Sequence, residues 1–302
     1  MSAAAIVRDK DWQEALEGAI REAGMAEDAA TADLALFFAS DEYAEHLPAM
    51  VRRVQSATGA AVVAGCSGQG IIGPEREIEG EAALSLLALP LLGATLRGCH
   101  ISQSDLEQTG SAEGWHALTG VGPEEVNAWL LFADPFHLDV EALLQSFTEA
   151  YPGAPIVGGL ASGSVAGHRT FVFLNGEVHS EGAVAVALGG GYTIKTVVSQ
   201  GADPIGEPWI ITAAEGSVVQ TISQRPAYEV LVETIKALPR EKQERASRNL
   251  LVGLAMDEYK DSFGRGDFLI RGLMGADPNS GAIAIGAHPR VGQTIQFQIR
   301  DA

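Results

Sequence analysis

The stretch Gly65-Cys66-Ser67-Gly68-Gln69-Gly70-Ile71-Ile72-Gly73 gathers several groups that could do chemistry. Gly68 to Gly73 fits the G-x-G-x-x-G spacing that cradles a dinucleotide pyrophosphate, provided that a strand precedes it and a helix follows. "AAVVAG" (60–65) supplies the strand, but "PEREIEG" (74–80) runs from Pro74 to Gly80 and reads as a turn and a short edge strand. No acidic residue caps a second strand about 20 residues on, where a ribose would be held. Cys66, at a strand end in a glycine turn, is placed as a nucleophile would be if backbone N–H groups lowered its pKa. Neither Ser67 nor Ser162 has the G-x-S-x-G spacing of a hydrolase elbow. Two cysteines and seven scattered histidines give no C-x-x-C or H-x-x-x-H pair for a metal. His288, before Pro289, is a residue type that ligates haem iron, although an exposed turn histidine is the commoner case. In "GDFLIRGL" strand alternation sets Asp267, Leu269 and Arg271 on one face. An arginine in so apolar a segment calls for a carboxylate, from Asp267 or from a ligand.

The elements that position these residues repeat. Residues 34–68 align without a gap with 128–162: Phe38 meets Phe132, Ala39 meets Ala133, Gly59 meets Gly153 and Gly65 meets Gly159. The match runs on more weakly, so that 34–103 and 128–200 form two copies. Each copy begins with an apolar strand (Leu34–Ala39; Ala128–Ala133) and an amphipathic helix (Tyr43–Thr58; Val140–Tyr151). A second buried strand then ends in a glycine turn, and two or three further strands follow. Strand–helix–strand implies a parallel pair, and the hairpin-like remainder implies antiparallel neighbours. The expected fold class is α/β (α+β), with mixed sheets in duplicated modules and a partial second domain. The gapless alignment sets Cys66 against Leu160, which favours a buried, structural cysteine. It also makes Gly65-Cys66-Ser67-Gly68 and Gly159-Leu160-Ala161-Ser162-Gly163 equivalent strand ends. Small residues there leave room for a ligand; glycine that merely makes the turn accounts for them equally well. Cys66, Ser67, Gly68, Ser162, Gly163 and Arg271 are the candidate ligand-binding residues.

The remaining organisation is simpler. Residues 1–30 read as an N-terminal helical segment, 31–222 as the duplicated domain and 223–302 as the partial domain. Beyond Pro204 the pattern predicts a hairpin turning at Glu215-Gly216, a helix opened by Pro226, a charged loop or helix end over 240–249, and four short strands to the last residues. The chain has 302 residues, enough for two cores, and a net charge of −19. Such a field repels phosphate backbones and anionic lipid, which argues against nucleic-acid and membrane-surface roles. Glycine, at 35 residues, is about 12% of the chain against an average of about 7%, in keeping with many tight turns. Two cysteines make no disulfide scaffold, and neither a signal peptide nor a spanning segment is legible. A cytoplasmic protein is expected.

The blocks "LLFADPFHLDVEALLQSF", "YPGAPIVGGLASG", "FLNGEVHSEGAVAVAL", "VVSQGADPIG" and "GDFLIRGLMGADPNSGAIAIGAHPRVGQTIQFQIRDA" closely resemble FIST proteins, from about Asp33 onward. That family pairs a FIST N-terminal with a FIST C-terminal domain, in bacterial signalling proteins and in a eukaryotic F-box protein. The resemblance implies a cytoplasmic, non-catalytic sensory module that binds a small ligand such as an amino acid, with no resident cofactor. Haem binding and nitric oxide sensing, known for some members, is an alternative. A protein-interaction scaffold with a signalling partner is another. Two departures stand out. Ala202-Asp203 precedes "PIG" where relatives often carry a cysteine, and the chain stops at Ala302 where relatives continue. A truncated C-terminal domain with an open sheet edge, inviting a partner or a homodimer, is therefore expected.

Overall fold

The computed structural model describes residues 3–25, 32–163, 169–197, 201–260, 262–264 and 266–300. The chain divides into two compact units between Thr196 and Val197. The N-terminal unit opens with β1 (Ala3–Arg8) and α1 (Trp12–Glu22). The first copy of the repeat holds β2 (Leu34–Ser40), α2 (Leu47–Thr58), β3 (Val62–Gly68), β4 (Gly70–Gly73), β5 (Arg76–Glu79), β6 (Ala83–Leu89) and β7 (Ala94–Ile101). The short helices α3 (Gln103–Gln108) and α4 (Ala112–Thr119) lead to the second copy. That copy holds β8 (Ala128–Ala133), α5 (Val140–Ala150), β9 (Ile156–Leu160), β10 (Val172–Leu174), β11 (Glu177–His179) and β12 (Ala183–Gly190). Its expected end, 198–200, lies outside the described residues.

The strands form a six-stranded sheet of order β1-β6-β2-β3-β10-β11 and a four-stranded sheet of order β7-β12-β8-β9. β2–β3 and β8–β9 are parallel, the other pairings are antiparallel, and β4–β5 is a separate hairpin. The copies exchange strands: β7 of the first joins the second sheet, and β10–β11 of the second join the first. The first residues are not wholly helical as expected. β1 pairs with β6, because Ala5 and Ile6 have buried positions to fill at that edge.

The period of two in β2 explains the layering. Leu34, Leu36 and Phe38, with Val62 and Cys66 of the neighbouring β3, face the partner sheet, where they meet Phe132, Val184 and Val186. Ala35, Phe37 and Ala39 face outward onto Leu16, Ile20, Leu47, Met50 and Val54 of α1 and α2. Both faces are covered, so the strand is apolar throughout rather than alternating. Trp129 and Leu131 of β8 likewise meet Trp115 of α4 and Leu143 and Phe147 of α5. The unit is thus two sheets back to back with helices outside. α2 begins at Leu47 rather than Tyr43, since Asp41–Tyr43 winds as a 3-10 turn, and it ends at Gly59 with φ of 60°.

The C-terminal unit holds β13 (Ala202–Glu215), β14 (Val218–Ile222), β15 (Arg225–Pro226), α6 (Ala227–Lys236), α7 (Arg240–Asn249), β16 (Leu250–Ala255), β17 (Phe268–Asp277), β18 (Ala282–Ile285) and β19 (Thr294–Arg300). β13 is long and irregular between Ile205 and Trp209, and it serves two neighbours: its first part pairs with β19, its last with β14. The antiparallel circuit β13-β19-β16-β17-β18-β14 therefore closes on itself. Val252, Ile283, Ile295 and Phe297 share its core with Val230 and Leu231 of α6. The open edge expected at the last strand is absent: β19 lies between β13 and β16, paired on both sides. Residues 240–249 form a full helix, with Ala246 buried in the core. Because β13 and β14 pair with β18 and β19, the hairpin turning at Glu215-Gly216 packs within this compact unit.

Candidate functional site

β3 and β9 end beside each other, and four of the six residues singled out in the sequence meet there. Cys66, Ser67, Gly68 and Ser162 line a cavity of about 350 Å3, together with Val157, Gly158, Gly159 and Leu160 of β9 and Gly70, Ile71 and Ile72 of the β4 hairpin. Phe38 and Phe132, equivalent residues of the two copies, complete the wall as an edge-to-face pair with ring centroids 5.4 Å apart.

Two serines tie the strand ends together. Ser67 Oγ donates to the Ser162 carbonyl (2.9 Å) and accepts from Phe171 N–H (3.0 Å). Ser162 N–H donates to the Ser67 carbonyl (3.0 Å), and Ser162 Oγ accepts from Gln69 N–H (2.9 Å). Ser67 N–H donates in turn to the Phe171 carbonyl (2.8 Å). The Ser67 hydroxyl is buried and committed as both donor and acceptor, so its role here is structural. Gly163 sits just behind the wall. A Cβ there would lie 2.6 Å from the Arg169 carbonyl oxygen, so glycine permits a close backbone approach.

The next contact out is Asp134, fully buried at the end of β8. It accepts from Thr170 Oγ1 (2.7 Å), Phe136 N–H (3.1 Å), His137 N–H (3.0 Å) and His137 Nδ1 (2.7 Å). Its grip on Thr170 fixes the segment that brings Phe171 to Ser67. The sequence reading passed over this residue, although Asp-Pro-x-His after a strand is the signature of an Asx turn.

The glycines answer to packing. Gly70–Gly73 is strand β4, paired with β5, and a Cβ on Gly73 would lie 2.3 Å from Ile6. This is a hairpin, without the helix that a nucleotide loop requires. A Cβ on Gly65 would sit 1.8 Å from the Phe37 carbonyl oxygen, and one on Gly158 1.7 Å from that of Leu131. These two glycines, and not Gly65 and Gly159, are therefore the structural equivalents. The registers agree: β2 pairs Leu34 with Val62, whereas β8 pairs Trp129 with Ile156, a separation one residue shorter. The gapless alignment is thereby corrected, and Cys66 corresponds to Gly159 rather than Leu160. Burial still pushes the Cys66 thiol up to about 12, and burial followed by the charge of Asp105 does the same to Cys99. Neither is thiolate at neutral pH. Both are expected to stay unreactive toward a disulfide reagent in native protein and to titrate fully in denaturant; fast native labelling of Cys66 would contradict this.

The model of the FIST N domain matches residues 33–225 and that of the FIST C domain matches 227–302. The chain belongs to the FIST family. FIST domains are sensory and signal-transduction domains. An uncharacterized protein of Mycobacterium tuberculosis strain H37Rv is 36% identical over 274 residues, covering 90% of this chain and 69% of that protein. One of Mycobacterium bovis is 33% identical over 295 residues, covering 96% and 74%. The FIST C match runs from residue 227 to residue 302, and the pairing of β19 on both sides means that the open sheet edge expected there is covered.

The other sequence candidates of this FIST chain lie in the C-terminal unit. Arg271 on β17 borders a separate concavity with Leu251, Met256, Leu269 and Arg300, and its Nη1 donates to the Ile270 carbonyl (3.0 Å). Asp267, its expected partner, is paired with Lys260 instead and accepts from Gly264 N–H (2.8 Å). His288 is exposed on the turn after β18. Among the described residues no helix is long and apolar enough to cross a membrane, and no cluster of three or more His, Cys, Asp or Glu is placed to hold a metal.

Proposed function

We propose that this chain is a cytoplasmic sensory protein that binds a small ligand in the cavity between β3 and β9 and acts without catalysis. The observation that carries the reading is the convergence of the two duplicated strand ends on one cavity of about 350 Å3. That volume falls in the range of small-molecule sites. The polar groups at hand support binding rather than turnover: the Ser67 hydroxyl is held by two hydrogen bonds, and the Cys66 thiol stays protonated. Among the described residues no lining side chain is charged, so an uncharged or mostly apolar ligand suits the cavity better than the anion that Arg271 was expected to meet. Signalling then follows if ligand shifts the two tied strand ends and a partner reads the change.

Gly159 provides the test, because a side chain there meets open space and leads into the cavity. Gly159→Leu is expected to keep the fold while reducing affinity at least tenfold for whatever small molecule native mass spectrometry finds bound to the wild type. Unchanged occupancy in a folded Gly159→Leu protein would place the ligand elsewhere. A Soret band in the purified protein would instead favour the haem reading.

A further inference from the structure

We propose that the free edge of β9 pairs antiparallel with β9 of a second copy of this chain, about a two-fold axis at Gly158. The proposal goes beyond ligand binding and rests on the outward backbone edge of β9, whose residues 158–160 also line the cavity described above. Pairing on β8 uses the odd-numbered residues of β9: Trp129 N–H donates to the Pro155 carbonyl and Ala161 N–H to that of Ala133. The N–H and C=O groups of Ile156, Gly158 and Leu160 therefore point to the other side, where no described strand pairs with them. Their equivalents in the first copy are Val63, Gly65 and Ser67, and there the same edge is filled. Val63 exchanges hydrogen bonds with Asn175, Gly65 pairs with Phe173, and Ser67 N–H donates to Phe171 O, all in antiparallel register with β10. The chain thus shows on one copy what the other copy's edge accepts.

The occupant follows from self-complementarity. A two-fold axis across a sheet edge can create only antiparallel pairing of a strand with itself, which sets Leu160 of each protomer opposite Ile156 of the other. Leu160 is 57% exposed, unusual for a leucine on a strand edge bordered by apolar space. It helps to line a cavity of about 240 Å3 whose other described lining residues are apolar side chains and glycines, among them Leu131, Val140, Leu144, Ile156 and Gly158. Leu160 lies on one side of Gly158 and Ile156, in the far wall of that cavity, on the other, so each protomer offers both a projecting side chain and an apolar recess. Gly158 and Gly159 are exposed and carry no side chain to hold the backbones apart. The pairing would extend two four-stranded sheets into one of eight. The net charge of −19 on each chain opposes association, so salt strengthens it.

Sedimentation of the full chain tests this, and a concentration-dependent dimer that strengthens with added salt is expected. Leu160→Lys, at an exposed site, is expected to weaken it at least 100-fold with an unchanged circular dichroism spectrum. Mixing Ile156→Cys protein with Leu160→Cys protein under mild oxidation is expected to give more disulfide-linked dimer than either alone. A wild type monomeric at all accessible concentrations would overturn the proposal. So would a dimer indifferent to Leu160→Lys that gives no preferential cross-link. A monomer whose 156–160 amides gain exchange protection only when an apolar peptide is added would assign the edge to a foreign strand, and would overturn it too.

Discussion

Gly158→Ala is expected to dismantle the pairing of β8 with β9, whereas Gly159→Ala, one residue on, is expected to leave it intact. At Gly158 the new methyl would be placed 1.7 Å from the Leu131 carbonyl oxygen, which is backbone held in a buried strand. No rotamer change relieves such an overlap; the strands themselves must part. At Gly159 a Cβ meets nothing within 4 Å. The expected cost at Gly158 is about 4 kcal/mol, at the severe end for a single substitution and a large share of the stability of a single domain. At Gly159 it is below about 1 kcal/mol. Urea midpoints followed by far-UV circular dichroism measure both. Equal midpoints for the two variants would show that the close approach of β9 to β8 is not a constraint.

Asp134→Ala carries the second large effect. Removal of the carboxylate leaves the buried Thr170 Oγ1 without its acceptor, and frees two backbone N–H groups and His137 Nδ1 at the partly exposed turn of Phe136 and His137. Leaving a buried hydrogen-bonding group unsatisfied costs about 1–3 kcal/mol, and the loss of the turn's other bonds to Asp134 adds to it. Asp134→Asn keeps an oxygen for some of these donors and is expected to lose less than half as much. The loss is also expected to reach the cavity, since Thr170 steers Phe171 onto Ser67. Ligand retention should fall in Asp134→Ala under conditions where the protein is still folded. A variant as stable as the wild type would mean that water satisfies these donors and the network holds nothing in place.

The duplication, the parallel pairs and the convergence of Cys66, Ser67, Gly68 and Ser162 were all legible in the sequence. Each depends on local signals repeated at a fixed spacing: an apolar run, an amphipathic helix, a glycine turn. Three features were not. The one-residue difference in register leaves no trace in a gapless alignment, because glycine stands at both 158 and 159 and either can match Gly65. The closure of the C-terminal circuit depends on β13 bending near residues 205–209 to serve two neighbours, a long-range pairing that no local pattern encodes. Arg271 looked like an anion hook because strand alternation set it beside Asp267; Lys260 competes for that carboxylate from a loop that the alternation rule does not see.

The exchange of strands between the copies bears on how the protein is made. Neither copy is a domain, since each sheet takes strands from the other half of the repeat. Cys66 and Val172, paired across β3 and β10, are more than 100 residues apart. At translation rates of roughly 5–20 residues per second, the edge of β3 waits at least roughly 5 s on the ribosome for its partner. The apolar face of the first copy stands open for that interval, so the N-terminal unit can complete its folding only after most of it has been synthesised. Duplication here did not yield two independent folding units; it joined them into one whose halves depend on each other from synthesis onward.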